Sequence, residues 1–386
     1  MVVMDIDKAE ETFLKFLNRE EQPADYEHQL LVEQYPRVKA ILEGKVVPPY
    51  ELEIQPTSTC NVACEHCLGR CYPRLPNTMH SHELKEIARK IDGFRENGFR
   101  IETVKFCGTT GEPLVNPITL EGITLFKNMN KKVIVFTNGL FLDMLTQTGF
   151  YYDHLLQADK INISLDAGSE EIFEQIKKRK GFNRTIQGVY NLISKRGAEH
   201  KPNVVISYVI GQHNYVDILK ATKIARAAKA DEIRFRVDFT DPNHVHELSD
   251  IIINSIDEAK KLATDKFKVV SVYTKKEIHD DDSAFQAEGR RCFNHHFWAS
   301  IGPDCNLYAC GHRTHSQVQS YGSLLENSFM DLWLSAERQE NTAQLPDHHC
   351  TICSPSSLRR NDFMTFLAQL PVEKVAELVK KYIHKA

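Results

Sequence analysis

Three cysteines lie close together in the stretch CNVACEHC, residues 60–67: Cys60, Cys64 and Cys67. Three thiols cannot all pair with one another in disulfides, so we interpret the group as a metal site. Cysteine thiolates bind zinc and iron–sulfur clusters. A zinc site normally has a fourth Cys or His close by, which His66 or Cys71 would have to supply here. The spacing alone leaves both kinds of metal site open.

The ten cysteines of the chain form two groups with one outlier. The first group contains the triad and Cys71, and Cys107 stands alone. The second group lies near the C-terminal end and contains Cys292, Cys305, Cys310, Cys350 and Cys353. This segregation predicts two sites, built by two regions of the chain.

Composition and charge argue against several other functions. Of the 386 residues, 42% are hydrophobic and 26% are charged, as in an ordinary globular protein. A formal net charge of -4 leaves no basic surface for nucleic acid or an anionic membrane. No apolar run approaches the roughly 20 residues that span a bilayer, and the acidic N-terminal stretch does not resemble a secretory signal. We therefore expect a cytoplasmic protein with reduced cysteines, and no nucleic-acid or membrane partner.

From residue 50 onward, short apolar runs alternate with helical segments. The pattern predicts strands at 51–56, 102–107, 132–136, 160–166, 203–210 and 232–238. Helices are predicted near 81–96, 118–129, 140–148, 169–196 and 215–229, and ahead of the first strand at 5–19 and 27–43. Strands that alternate with helices pair in parallel through right-handed crossovers. The sequence therefore predicts an α/β fold with a parallel sheet or barrel.

Three of the predicted strands alternate apolar and polar residues. In IRFRVDF, the side chains of Arg234, Arg236 and Asp238 share one face, and ELEIQ and INISLD alternate in the same way. Successive side chains point to opposite faces of a strand, and the face covered by helices must be the apolar one. The polar residues would then line a cavity inside the sheet. The alternative is a half-buried sheet whose polar face meets solvent.

The motif C-x3-C-x2-C, placed directly after the first strand of this strand–helix chain, resembles the radical S-adenosylmethionine (SAM) superfamily. The resemblance implies a partial (β/α)6 barrel in which Cys60, Cys64 and Cys67 hold a 4Fe–4S cluster and leave one iron open for SAM. One electron from the cluster would cleave SAM to methionine and a 5′-deoxyadenosyl radical, which abstracts a hydrogen atom from the substrate. A flavodoxin- or ferredoxin-type protein would donate the electron.

The resemblance extends to the residues that contact SAM. The segment CGTTGEP, residues 107–113, resembles the family's Gly-Gly-Glu-Pro segment, so Glu112 would hold the SAM amino group and Gly111 would allow close backbone approach. The motifs FTNG and SLD match the ends of the third and fourth strands. Within the basic run 177–180, Arg179 is our choice for the SAM carboxylate. The full set of implied contacts is His66, Gly111, Glu112, Asn138, Ser164, Asp166 and Arg179.

The second cysteine group resembles the auxiliary-cluster extension of radical SAM enzymes called the SPASM domain, in its shorter form, the twitch domain. The resemblance covers residues 285–355, with a β-hairpin near 297–310 and a helix near 327–337. It implies a second 4Fe–4S cluster held by Cys292, Cys310, Cys350 and Cys353. Cys305 would occupy the hairpin turn as a non-ligand. A zinc clamp built from the same four thiolates has the same spacing and stays open as the alternative.

These resemblances divide the chain into four parts. They are an N-terminal helical extension (1–49), a radical SAM partial barrel (50–284), a twitch domain (285–355) and a C-terminal helical cap (356–386). Many peptide-modifying relatives carry an N-terminal winged-helix domain that recognises the peptide. Residues 1–49 are too few for such a domain, which favours a small-molecule substrate.

The resemblance therefore implies an enzyme of the aminoglycoside type that dehydrogenates, dehydrates or epimerises a small polyol- or sugar-like molecule. The second cluster would serve as an electron conduit. Arg234, Arg236 and Asp238 are candidate acids or bases, whereas Cys107 and Cys305 are candidate hydrogen-atom donors for an epimerisation. Two other classes stay open: a maturase of a ribosomally made peptide that acts with a separate recognition protein, and a non-catalytic iron–sulfur or zinc scaffold.

Overall fold

The computed structural model describes residues 6–17, 26–143, 152–197, 200–238, 240–273, 275–279, 286–350 and 353–383. Its strands are β1 (Glu51–Ile54), β2 (Arg95–Glu96), β3 (Phe99–Arg100), β4 (Thr103–Phe106), β5 (Lys132–Thr137), β6 (Lys160–Ser164), β7 (Asn203–Ile210), β8 (Glu232–Val237), β9 (Lys268–Ser271), β10 (Trp298–Ile301), β11 (Asn306–Tyr308) and β12 (Gly322–Ser323). Strands β2 and β3 form a small hairpin, and the others join one ten-stranded sheet.

The sheet is mostly parallel. Its strand order is β12-β11-β10-β1-β4-β5-β6-β7-β8-β9. Every pair from β10 to β9 runs parallel, and β11 and β12 continue antiparallel from β10. The predicted α/β fold is thus confirmed, and the predicted hairpin near 297–310 is present as β10 and β11. Because β10 pairs with β1, the C-terminal segment extends the same sheet that the first strand begins.

Helices cover the outer face of the sheet and both ends of the chain. Those of six residues or more are Ile6–Leu17, Tyr26–Leu42, Ser81–Gly93, Ile118–Asn128, Glu170–Lys177, Phe182–Ser194, Ile218–Ala227, Pro242–Glu247, Ser249–Lys260, Phe329–Leu334, Ala336–Ala343, Pro355–Leu367 and Val372–Tyr382. The shorter ones are Tyr152–Leu155, Lys275–His279 and Asn294–Phe297. The helix predicted at 140–148 falls largely outside the described residues.

Two predicted helices are wrong in extent. The single helix expected at 169–196 is two helices, because Lys178 (φ 56) and Gly181 (φ 149) reverse the chain in the left-handed region. Glu170 fixes the break, since its Oε1 accepts a hydrogen bond of 2.7 Å from the Gly181 amide. The helix expected near 327–337 likewise ends at Leu334, and Ser335 caps a second helix by accepting from the Arg338 amide.

The apolar alternation of the strands builds the core. Leu52 and Ile54 of β1 and Val104 and Phe106 of β4 are buried beneath the helices, in one continuous apolar cluster. A second cluster joins the two ends of the chain, where Phe13 packs with Phe363 at a ring-centroid distance of 6.1 Å. None of the described helices has the length and apolar character needed to cross a membrane.

Candidate active site

The carboxyl ends of parallel strands meet at one edge of a sheet, and here the loops after β1, β4, β5 and β6 surround a cavity of about 680 Å³. The cavity continues along the inner face of the sheet. Eight of the ten cysteines line it. Seven are the proposed cluster ligands Cys60, Cys64, Cys67, Cys292, Cys310, Cys350 and Cys353, and the eighth is Cys107. Two regions that are far apart in sequence therefore contribute to the same space.

The loop that carries the first cysteine triad is anchored on a helix end. The amides of Ala63 and Glu65 donate to the carbonyls of Lys177 and Ile176 at 3.0 and 3.1 Å. The Gly69 amide donates to the Cys67 sulfur at 3.3 Å. These bonds fix the loop without any bond between the cysteines, all of which are free thiols.

The three thiols suit a cationic ligand. Burial raises the pKa of Cys64 to about 11, and burial also raises the pKa of Cys60. The neighbouring cysteines add to both shifts, so three thiolates would repel one another in the bare protein. A metal centre supplies the positive charge that such thiolates need. The donor set therefore fits an iron–sulfur cluster, although no group of three or more His, Cys, Asp and Glu side chains in the described ranges converges closely enough to hold a single ion.

Glycines bring the loop after β4 against the loop after β1. A Cβ on Gly111 would lie 2.0 Å from the Thr57 carbonyl oxygen, and one on Gly108 would lie 2.1 Å from the Gly111 oxygen. No other residue fits at either position. The close approach lets the Glu112 amide donate to the Thr59 carbonyl at 2.9 Å, which places Glu112 beside the cysteine loop.

Glu112 is buried in the cavity wall and keeps one acceptor position open. Its Oε1 accepts from the Thr137 hydroxyl at 2.7 Å and the Leu114 amide at 3.1 Å, and its Oε2 accepts from the Asn138 amide at 2.7 Å. A carboxylate offers about four lone-pair positions, so Oε2 has one left for a ligand. Burial raises the pKa of Glu112 in spite of these bonds, and a ligand ammonium would favour its charged form.

Asp166 and Lys177 form a buried ion pair behind His66. Asp166 stands in the left-handed region (φ 58), and its Oδ1 accepts from the Val209 amide at 2.7 Å. Its Oδ2 contacts the Lys177 ammonium and lies 3.5 Å from His66 Nε2. Burial alone would raise the pKa of Asp166, but Lys177 and His66 hold it below its ordinary value. The Asp166 carboxylate is therefore charged and already partnered.

Within the basic run 177–180, Lys177 lines the cavity, and Arg179, the residue expected from sequence, does not. Arg179 is exposed and donates to the Asn61 carbonyl at 2.8 Å, outside the cavity. Helical periodicity carries the signal that points to Lys177, because Phe173, Ile176 and Lys177 form the buried face of their helix. Asn138 also lines the cavity, and its Nδ2 donates to Asn61 Oδ1 at 2.6 Å.

Replacing Lys177 with methionine should lower the free energy of unfolding by about 3–5 kcal/mol, because Asp166 would be left as an uncompensated buried charge. Arg179→Met should change it by about 1 kcal/mol or less, since Arg179 is exposed. Chemical denaturation of both variants, monitored by circular dichroism, measures the difference. Equal effects would contradict the assignment of Lys177 to the buried pair.

The predicted polar interior is present. Glu51, Glu53, Asn162, Ser164, Arg234, Arg236 and Asp238 all line the cavity. Lys105 joins them, 3.1 Å from Glu51 and 3.2 Å from Glu53. Cys107 lies on the same face, and burial, with Glu53 adding to it, raises the pKa of its thiol.

The second cysteine group closes the other side of the cavity. Burial, with the thiols of Cys350 and Cys292 adding to it, raises the pKa of Cys310 to about 12. Arg313 donates to the Cys350 sulfur at 3.4 Å and to Asp347 at 2.9 Å. Cys305 is not brought to this site. It is buried in the turn between β10 and β11, at φ 63, and is not among the residues that line the cavity.

Part of the chain is similar in sequence to known proteins. Residues 54–225 match the Radical SAM superfamily. Molybdenum cofactor biosynthesis protein 1 of Drosophila melanogaster is 29% identical over 222 residues, which are 56% of this chain and 36% of that protein. GTP 3′,8-cyclase of Limosilactobacillus fermentum is 26% identical over 179 residues, which are 45% of this chain and 50% of that protein. The chain thus spans from about a third to half of the length of these curated relatives.

Solved structures share the fold over most of the chain. Streptococcus suis SuiB bound to S-adenosylmethionine superposes with a TM-score of 0.59 at 14% identity, covering 83% of this chain and 78% of that one. Native anSMEcpe with bound AdoMet superposes with a TM-score of 0.53 at 14% identity, and the match covers 86% of this chain and 99% of that one. The match over residues 54–225, together with the cysteine triad after β1 and Glu112 after β4, makes this part of the chain similar to the radical SAM superfamily, whose members are enzymes.

Proposed function

We propose that this chain is a radical SAM enzyme that takes a hydrogen atom from a small polyol- or sugar-like substrate held inside the sheet. The observation that best supports this is the shared cavity, which both cysteine groups and the inward polar side chains line. Cys60, Cys64 and Cys67 would hold the first 4Fe–4S cluster, with SAM against Gly111, Glu112, Asn138 and Ser164. Cys292, Cys310, Cys350 and Cys353 would hold a second one. When bound, these groups would supply a 5′-deoxyadenosyl radical and an acceptor for one electron.

Asp238 is the residue that would accept the substrate proton. An arginine guanidinium does not deprotonate in proteins, so Arg234 and Arg236 are excluded as bases. The Asp238 Oδ1 accepts from the amide and the hydroxyl of Thr240, at 2.9 and 2.6 Å, which orients the carboxylate at the end of β8. A carbinol that loses a hydrogen atom to the radical, a proton to Asp238 and an electron to the acceptor becomes a ketone, which balances as a two-electron oxidation.

Two alternatives have support of their own. Cys107 is a half-buried thiol in the cavity wall whose raised pKa keeps it protonated, and a protonated thiol can return a hydrogen atom to a substrate radical in an epimerisation. SuiB, whose fold this chain shares, has been crystallised with its precursor peptide SuiA. A peptide is therefore the second candidate substrate.

An anaerobic assay with SAM, reductant and perdeuterated sugars or aminocyclitols tests the proposal. We expect deuterium in the 5′-deoxyadenosine that forms, because the radical takes its hydrogen from the substrate. Solvent deuterium at the reacting carbon, lost in Cys107→Ala, would indicate epimerisation instead. Deuterium transfer from a labelled peptide and from none of the small molecules would contradict the small-molecule proposal.

Replacing Cys292, Cys310, Cys350 and Cys353 together with alanine should remove about half of the iron, if each cluster contains four irons. Some SAM cleavage without product should persist, because the first triad is untouched. Elemental analysis and 5′-deoxyadenosine assays of this variant and of Cys305→Ala as control measure both effects. One zinc ion per chain, lost in the variant while the iron stays constant, would overturn the second cluster.

A further inference from the structure

Arg313 connects two of the segments that carry the second cysteine group. It ends the short turn Gly311–Arg313 that follows Cys310, and its amide donates to the Cys310 carbonyl at 3.1 Å. Its guanidinium reaches the segment before Cys350, where Nη2 donates to Asp347 Oδ2 at 2.9 Å. The Asp347 carbonyl in turn accepts from the Cys350 amide at 2.8 Å. The arginine therefore joins the turn after Cys310 to the segment that ends at Cys350.

The same guanidinium also contacts a cysteine sulfur directly. Nη1 of Arg313 donates to Cys350 Sγ at 3.4 Å, and both residues line the cavity. The Arg313 side chain is 12% exposed and that of Asp347 is 26% exposed, so most of this contact is removed from water. Because a guanidinium does not deprotonate in proteins, the Cys350 sulfur has a permanent cation beside it.

The four cysteines of this group have the donor chemistry of a metal centre. Burial raises the pKa of Cys353, and the thiols of Cys310, Cys292 and Cys350 add to the shift. Four thiolates would repel one another without a metal, and iron would compensate them. Asp347 offsets part of the Arg313 charge, but a carboxylate cannot donate a hydrogen bond to sulfur. The donor to Cys350 is the guanidinium.

Hydrogen bonds to the ligand sulfurs help to set the reduction potential of an iron–sulfur cluster. Reduction adds one negative charge to a cluster, and a nearby cation favours the more negative state. We propose that Arg313 raises the reduction potential of the second cluster through its hydrogen bond to Cys350, and so favours transfer of an electron from the substrate radical. This inference rests on the proposed function, in which that radical loses one electron and a proton to become a ketone while the cluster gains the electron.

Redox titration of the reconstituted full-length protein, monitored by electron paramagnetic resonance, tests the inference. The signal that persists when the first cysteine triad is replaced with alanine identifies the second cluster. Arg313→Met should shift the equilibrium between oxidised and reduced cluster about tenfold toward the oxidised form, which lowers the potential by about 59 mV for one electron. Asp347→Asn removes the charge that offsets Arg313 and should raise the potential. Arg89→Met, on an exposed arginine, should match wild type.

The iron content of each variant is measured alongside. With iron retained, an unchanged potential in Arg313→Met, or a shift of both variants in the same direction, overturns the inference. If Arg313→Met does not retain its iron, Asp347→Asn decides: an upward shift supports the inference, and a downward or absent shift overturns it. Failure here is distinct from failure of the proposed function. A protein that cleaves SAM and holds both clusters, but whose potential does not depend on Arg313, loses only this inference, whereas zinc in place of the second cluster removes the electron acceptor and overturns the proposed function as well.

Discussion

Replacing Cys60, Cys64 and Cys67 together with alanine should abolish reductive SAM cleavage and remove about half of the iron, if two clusters of four irons each are present. The expected loss is complete because the three cysteines line one side of the cavity beside Glu112 and are the ligands proposed for the cluster that binds SAM. The C-terminal cysteines, which line the other side, should keep their metal. Iron analysis and 5′-deoxyadenosine quantification under anaerobic conditions measure both effects.

Cys71 provides a matched control for the triad. It lies four residues after Cys67 but is exposed and does not line the cavity. Cys71→Ala should therefore retain both iron and SAM cleavage. If the triple variant still produced 5′-deoxyadenosine, or if Cys71→Ala lost it, the assignment of the triad would be wrong.

Changing Glu112 to glutamine should weaken SAM binding about tenfold or more while the iron content stays constant. The substitution preserves the shape of the side chain but removes the charge that would pair with the SAM amino group, and hydrogen bonds to charged groups contribute about 1.5–3 kcal/mol. It also replaces one acceptor oxygen by a donor in a pocket where three protein donors converge. Equilibrium binding of SAM to the reconstituted variant measures the loss.

Glu340→Gln is the matched control, because Glu340 is exposed on the helix Ala336–Ala343. It should bind SAM as wild type does. Since Glu112 is buried, the thermal unfolding of each variant must be recorded alongside. A folded, iron-replete Glu112→Gln protein with unchanged SAM affinity would refute the role of this carboxylate.

Much of the sheet could be predicted from sequence because its strands carry two strong local signals. Apolar alternation and flanking helices identify β1 and β4 to β8, six of the eight strands that build the parallel part. Strand β9 was not predicted, because its sequence KVVS is short and its first residue is exposed. The break between the two helices within 169–196 was not predicted, because lysine rarely adopts a positive φ and Lys178 does so here.

The site was predictable where a motif encodes it and not where the tertiary fold assembles it. The triad, Gly111 and Glu112 come from contiguous motifs and lie together in the cavity. Arg360 and Gln34, from helices at the two ends of the chain, also line the cavity. Such long-range contributions leave no pattern in a single sequence.

The most direct test of the account is whether the wild-type protein cleaves SAM reductively. The reconstituted enzyme is incubated anaerobically with SAM and dithionite, and 5′-deoxyadenosine and methionine are quantified by mass spectrometry. The account predicts that both products form in equal amounts and only when reductant is present. An iron-replete protein that binds SAM but yields no 5′-deoxyadenosine would contradict it.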